Sequence, residues 1–510
     1  MKPVPYESEL GRSMVLVPLS VAGSMKPMER LKTVGYRMAI CSEIQNLSYR
    51  KANRSFNRNH HRTGTSQELS VGTMVEDIEQ EGRDIRRAKA EKTRAILKSC
   101  GFDPATGLYP GDTLPDRFRN NMCEMVVFNS KELLSHITPG WMGEEDGSDC
   151  EYSLPDTEVF RVRKKRRGNR HEVPADRKEH TCIRFFNWLN GVARREYYGI
   201  IHDWAIEKSS GEVVYISIDV VFVDQQAETR SPGGTNRSAD ENRPEVQSSG
   251  HLPASGSASE EEERKRIGHV NVRIEADNVR YYITSLDMEE AYRELIAFLL
   301  HSGLCTRYMI FFLDGETALF QRIERYFGNR WMYSVYLDWT HLQHKVYERM
   351  SNIIKAGKVP DPRGRIEYYK QKSKAGMIRK QDRIAQSQLY ARELLRMLWV
   401  GNVQEAIDYL NRLDPAILDN RKEQGFLITY LENKRKWITC YALRRQVGLR
   451  NSSNGVEGEN RVLVADRQKH NGTAWRPTGS GNLSAITCLF YNNEQEEWFF
   501  HDDIRFSMAT

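Results

Sequence analysis

The order of strand-like and helix-like segments between residues 212 and 353 constrains this chain more than any single motif does. "EVVYISIDVVFVD", 212 to 224, is a clear strand. "GHVNVRIEADNVRYYITS", 268 to 285, reads as two more strands with a turn near Asp277-Asn278. A helix follows in "DMEEAYRELIAFLLHSG", then a strand in "RYMIFFLDGE" and a helix in "ETALFQRIERYF". A further strand, "MYSVYLDW", leads into a long helix, "HLQHKVYERMSNIIKAG".

Three consecutive strands followed by helix, strand, helix and strand place antiparallel hairpins first and right-handed parallel crossovers after. That is the order of a ribonuclease-H-like α/β core with a mixed five-stranded sheet. The expected core spans 206–355 and resumes at 441–495, and an all-α insertion domain occupies 356–440. Within the first part, 226–264 is rich in Ser, Gly, Pro and Glu with almost nothing to bury, so it reads as a disordered insert. Residues 1–33 carry little periodicity and read as a flexible N-terminal extension. Residues 34–100 read as a helical, helix-turn-helix-like region, with Ser70 as a cap and Val71, Met74, Val75 and Ile78 at helix spacing. A plain helical bundle fits those residues as well. Residues 101–205 form a basic linker or second DNA-binding region, and 496–510 read as a tail.

Length and composition set the frame. The 510 residues, 39% apolar, suffice for two or three domains with genuine cores. A net charge of +6 is compatible with a polyanionic partner without requiring one. The eight cysteines are scattered, with no C-x-x-C pair, which argues against structural zinc and a disulfide framework and for a reducing, cytoplasmic setting. No apolar run approaches the roughly 18 residues needed to span a bilayer.

Three acids then stand out. Asp219 lies mid-way in "YISIDVVFV", Asp314 ends "YMIFFLD", and Glu457 lies in "NGVEGEN" at the start of the last helix. In the expected fold the first strand, the fourth strand and that helix share one edge. Carboxylates converging there repel one another unless a cation is present. Magnesium is hard, prefers oxygen and keeps waters for substrate phosphates. Two such ions, about 4 Å apart, suit in-line phosphoryl transfer. Each acid also has a plainer explanation. Asp314 can cap the following helix, Asp219 can face solvent from an edge strand, and Glu459 competes with Glu457. "LDWTH" places Asp338 at a strand end and His341 three residues on, spaced to brace the site through a mutual hydrogen bond. Thr340 and Gln343 equally have capping-box spacing.

Cations flank these acids. "RVRKKRRGNRH" contains Arg163, Lys164, Lys165, Arg166 and Arg167, a block suited to tracking phosphates. "NKRKW" supplies Lys434, Arg435 and Lys436, and "ALRRQVGLR" supplies Arg444, Arg445 and Arg450; solvated helix faces are the plainer explanation. Trp437 and Trp475 can stack on unpaired bases or pack in a core.

The series "SID" (217–219), "LDGE" (313–316), "LDWTHLQHKVYERMS" (337–351) and "CYALRRQVGLRNSSNGVEGENRVLVADRQKHNGTAWRPTGSGNL" (440–483) resembles DDE transposases of bacterial insertion sequences, in the Mutator-like part of the ribonuclease-H-like superfamily. The resemblance implies that Asp219, Asp314 and Glu457 are the catalytic, metal-holding triad, with Asp338 and His341 as the supporting C/D-x-x-H motif. It implies two Mg2+ ions, replaceable by Mn2+. It also implies double-stranded DNA partners, both terminal inverted repeats and target, and a homodimer or larger homo-oligomer. Lys469 and Trp475 join the expected DNA-binding set. The expected reaction is hydrolytic nicking at a transposon end, then attack of the freed 3′ hydroxyl on target DNA. Val220 stands where that family suggests a second acid, and the insert after 225 is a second departure. Two other functions fit the same residues: a nuclease that cleaves without joining, and a non-catalytic DNA-binding descendant.

Overall fold

The computed structural model describes residues 2–18, 20, 30–45, 47–62, 68–120, 213–226, 266–328, 330–362, 366–370, 377–446, 448–453, 464, 468 and 475–508. The basic block at 161–171, most of the insert at 226–264, Glu457, Glu459 and Lys469 lie outside the described residues.

The chain is mixed α/β. Its main sheet has five strands: β4 (Val213–Asp224), β5 (Arg266–Ala276), β6 (Val279–Ser285), β7 (Tyr308–Leu313) and β8 (Tyr333–Leu337), in the order β6-β5-β4-β7-β8. β4 runs antiparallel to β5, and β5 to β6. β7 is parallel to β4, and β8 to β7. The β5–β6 hairpin turns on Asp277 and Asn278 at φ +53° and +63°. Two successive positive φ values suit a two-residue hairpin, and Asp and Asn tolerate them. The expected turn is therefore in place.

Period-two alternation gives the sheet two unlike faces. Ile216 and Ile218 of β4, Val272 and Ile274 of β5, and Phe311 and Leu313 of β7 are buried on one face. There they join the core with α4 (Met288–His301), α5 (Thr317–Phe327) and α6 (Trp339–Ile353). α4 is buried nearly all round, as a helix between other elements must be. The opposite face carries Tyr215, Ser217 and Asp219 of β4, with Glu275, Arg273 and Asn271 facing them in register on β5.

β4 is therefore central, which overturns the edge-strand explanation of Asp219.

The N-terminal region differs from its expectation. β1 (Lys2–Ser8) and β2 (Gly11–Val17) pair as a hairpin, and β3 (Leu31–Lys32) joins β1. Glu7, fully buried, meets the fully buried guanidinium of Arg62 as well as Arg12 and Arg30. Residues 2–17 are thus a pinned hairpin rather than a loose extension. Local pattern could not show this, because besides the buried Val4 and Val17 the hairpin's anchor is an ion pair to Arg62, 55 residues along the chain.

α1 (Val34–Glu43) and α2 (Tyr49–Asn59) precede α3 (Val71–Ser99), which is one helix of 29 residues rather than two short ones. Ser70 caps it, its hydroxyl accepting from Thr73 N–H at 3.1 Å. α3 packs on α4 and on α11 (Pro477–Tyr491), so this region is docked on the core. Lys89 of α3 reaches Glu294 of α4 at 3.3 Å, both side chains buried.

The α3–α11 contact is close. A Cβ placed on Gly82 would lie 2.5 Å from Asn482 Cβ and 2.6 Å from its carbonyl oxygen. Alanine is the better helix former by about 1 kcal/mol, but here overpacking wins. Gly82→Ala is expected to destabilise the protein by about 1–3 kcal/mol, measured as a fall in the midpoint of chemical denaturation.

The stretch expected to be all-helical opens instead with strands. β9 (Lys358–Pro360) pairs with β12 (Arg383–Ala385), and β10 (Ile366–Lys370) with β11 (Met377–Gln381). α7 (Gln386–Trp399), α8 (Val403–Asn411) and α9 (Arg421–Lys434) follow as expected, and α10 (Tyr441–Gln446) returns the chain to the sheet. The predominance of basic residues in "RIEYYKQKSKAGMIRKQDR" masked the strands. The expected tail is also packed. α12 (Gln495–His501) precedes Ile504 and Phe506, both fully buried, and Phe506 lies against Tyr281 and Phe298. No helix among the described residues is long and apolar enough to cross a membrane.

Candidate active site

The register of β4 and β7 decides where the first two acids sit. Ile218 pairs with Leu313, so Asp219 and Asp314 are the next residues along on adjacent parallel strands. Their side chains emerge on the polar face. Asp219 Oδ1 accepts from the N–H of Val220 at 2.8 Å. Asp314 Oδ1 accepts from the N–H of Glu316 at 2.8 Å, just before α5 begins. The capping explanation thus accounts for one oxygen of Asp314. Among the described residues, no hydrogen-bond donor meets the other.

Burial drives the Asp314 carboxyl up to about 6, and the negative charge of Asp219 pushes the same way. The N–H of Glu316 and the charge of His341 pull against this without cancelling it. The two aspartates are therefore close enough for the charge of one to act on the other.

Asp338 and His341 behave differently from expectation. Asp338 is the N-cap of α6: its Oδ1 accepts from Thr340 N–H at 2.8 Å and from His341 N–H at 3.4 Å. Its Oδ2 accepts from the N–H of Ser453 at 2.7 Å. Asp338 is buried and takes hydrogen bonds on both oxygens, so it organises the edge and is not a free ligand. The bond to His341 runs through the backbone. The ring instead acts on Asp314 electrostatically. Thr340 is not the cap, so the capping-box explanation also fails.

The segment before the third acid is tied to this edge. Asn451 accepts from Trp339 N–H at 3.1 Å through its carbonyl, and Ser453 bonds both Asp338 and, through its carbonyl, Arg273 at 2.9 Å. Arg273 and Arg450 both bind Glu275. Burial raises the Glu275 carboxyl, but Arg450 and Arg273 together hold it below its ordinary value. A cleft lined by Tyr215, Ser217, Arg273, Glu275, Arg450 and Ser453 opens on the same face of the sheet as Asp219.

The expected DNA-binding cations separate into two groups. Arg435, Lys436 and Arg445 are exposed. Arg444 is fully buried, its guanidinium 4.0 Å from the Tyr336 ring, and Arg450 lies 4.2 Å from the Tyr215 ring while paired to Glu275. Lys434 is buried, donating to Thr317 Oγ1 at 2.8 Å between the rings of Phe320 and Trp437. Trp437 stacks on Phe320 with ring centroids 3.8 Å apart. Trp475 is buried, its indole N–H bonded to the Gln468 carbonyl at 3.1 Å, so it offers no face to a base. Arg163, Lys164, Lys165, Arg166, Arg167 and Lys469 lie outside the described residues, as does Glu457.

Two residues at the edge escaped the sequence reading. Asn271 faces Asp219 across the β4–β5 pair, buried, with an amide nitrogen that has no partner among the described residues. An amide among the valines of "HVNVRIE" carries the same signal as the aspartate in "YISIDVVFV" and could have been found by it. Tyr430 of α9 stands over Gly315, where a Cβ would lie 2.7 Å from its hydroxyl. Gly315 has φ +99°, and its place directly after Asp314 was the available signal of a close approach.

Two adjacent carboxylates are a hard-oxygen donor set of the kind that fits Mg2+ or Mn2+. Among the described residues no group of three or more His, Cys, Asp or Glu side chains is placed to hold a metal ion. No family model, curated protein or solved structure matches this chain.

Proposed function

We propose that the protein is a metal-dependent polynucleotidyl transferase of the DDE transposase kind, built on a ribonuclease-H-like core. The sheet order β6-β5-β4-β7-β8, with two antiparallel pairs and two parallel ones, supports the fold assignment. The observation that carries the functional reading is the pairing of Asp219 and Asp314 at successive register positions of β4 and β7, with the Asp314 carboxyl pushed up to about 6.

Glu457 completes the set in this reading. It follows Ser453 by four residues, so chain geometry limits it to about 14 Å from an anchor already bonded to Asp338. Bound divalent ions would supply Lewis-acid activation of the attacking oxygen and charge neutralisation at the leaving one. The protein's own residues hold the frame: Asp338 fixes the start of α6 and the 451–453 segment, while Asp219 and Asp314 present oxygens side by side. The exposed Arg435, Lys436 and Arg445 offer phosphate contacts.

The test is a cleavage and joining assay on duplexes carrying the sequences that flank the gene, with Mg2+, with Mn2+ and with chelator. Nicks bearing 3′ hydroxyls, followed by joined products, are expected only with the metal. Nicks without joining would favour a nuclease. No metal-dependent cleavage and intact DNA binding would favour the non-catalytic descendant.

A further inference from the structure

We propose that Tyr430 of the helical block donates a hydrogen bond to a non-bridging oxygen of the DNA phosphodiester held at the Asp219–Asp314 edge. This rests on the transferase reading and adds a substrate contact that neither acid provides.

α9 meets the β7–α5 turn at two points one helical turn apart. At Lys434 the contact is complete: the ammonium donates to Thr317 Oγ1 at 2.8 Å and lies 5.0 Å and 5.3 Å from the centroids of Phe320 and Trp437. At Tyr430 it is not. The ring packs against the core, and the hydroxyl reaches Gly315 yet has no hydrogen-bond partner among the described residues. A phenol is ordinarily neutral near pH 7 and able to donate.

Tyr430 is only partly buried, and a phenol placed beside this edge without a protein acceptor among the described residues is free to donate to an arriving group. Asp314 does not accept from it: its described hydrogen bond is with Glu316. The arriving group must carry acceptor oxygens and tolerate neighbouring carboxylates. A phosphodiester bridged to those carboxylates by divalent cations does both. Gly315 is then required twice, for its φ of +99° and for the space its missing Cβ leaves to the hydroxyl.

The experiment compares Tyr430→Phe with wild type in single-turnover cleavage of duplexes carrying one methylphosphonate at each phosphate near the cut. The ring and its packing remain, so the thermal midpoint should hold. Cleavage of unmodified DNA should slow by about 10- to 100-fold, the worth of a hydrogen bond to a charged acceptor. At one phosphate, methylphosphonate should slow wild type by a similar factor and Tyr430→Phe far less. Wild-type rates in Tyr430→Phe overturn the proposal, and so does equal sensitivity of both proteins at every phosphate. Asp314→Asn is run alongside. If it cleaves normally, the transferase reading itself fails. If it is inactive while Tyr430→Phe is normal, only the tyrosine contact fails.

Discussion

Asp314→Asn abolishes metal-dependent strand cleavage, by at least about 10³-fold, and at the same time stabilises the metal-free protein above pH 6. The first effect follows from losing one oxygen ligand where the transition state gathers charge. Such electrostatic stabilisation is worth several kcal/mol, and about 1.4 kcal/mol is tenfold in rate. The second follows from linkage. Folding raises the Asp314 carboxyl from its ordinary value to about 6, mainly through burial and secondarily through Asp219. An acid raised on folding contributes stability that is present at low pH and lost as pH climbs through that window. Above pH 6 the ionised side chain is a burden that asparagine lacks, up to about 2–3 kcal/mol. Thermal unfolding of the metal-free proteins should show Asp314→Asn above wild type at pH 8 and level with it near pH 4. Mg2+ should raise the wild-type midpoint and leave the variant's unchanged. A variant destabilised equally at both pH values would mean that Asp314 serves the fold, not a cation.

The other large effect lies far from the acids. Glu7→Leu is expected to cost about 3–5 kcal/mol, because it leaves the fully buried Arg62 guanidinium without its carboxylate. The cation then sits beside the Phe56 ring, 5.5 Å to its centroid, which cannot replace an ion pair. Glu7→Leu combined with Arg62→Leu should recover much of that loss, since the buried guanidinium is removed together with its carboxylate. Equilibrium denaturation of the four proteins closes the cycle. A double variant as weak as the sum of the singles would show that Glu7 and Arg62 act independently.

The parts of this fold that follow hydrophobic periodicity were legible in the sequence. The strands at 213–224, 268–285, 308–313 and 333–337, their intervening helices and the Asp277-Asn278 turn lie where alternation and turn chemistry put them. The pairing of Asp219 with Asp314 was legible too, since both follow from strand order and a register that buries one face. Other elements were not. The 2–17 hairpin carries the buried Glu7–Arg62 pair, the 358–385 strands lie in a mostly basic stretch, and residues 504 and 506 pack on a surface made elsewhere in the chain. Arg444, Lys434 and Trp475 look like solvent-facing cations and a free ring in the sequence. Tertiary contacts with Tyr336, Phe320 and the Gln468 carbonyl decide otherwise.

The most direct test of the central claim is calorimetric titration of Mn2+ into the full-length protein at pH 7.5, beside Asp219→Asn and Asp314→Asn. Mn2+ is expected to bind wild type and to bind both variants weakly or not at all, with the fold of each intact. Unchanged Mn2+ binding in both variants, or none in the wild type with and without DNA, would contradict it.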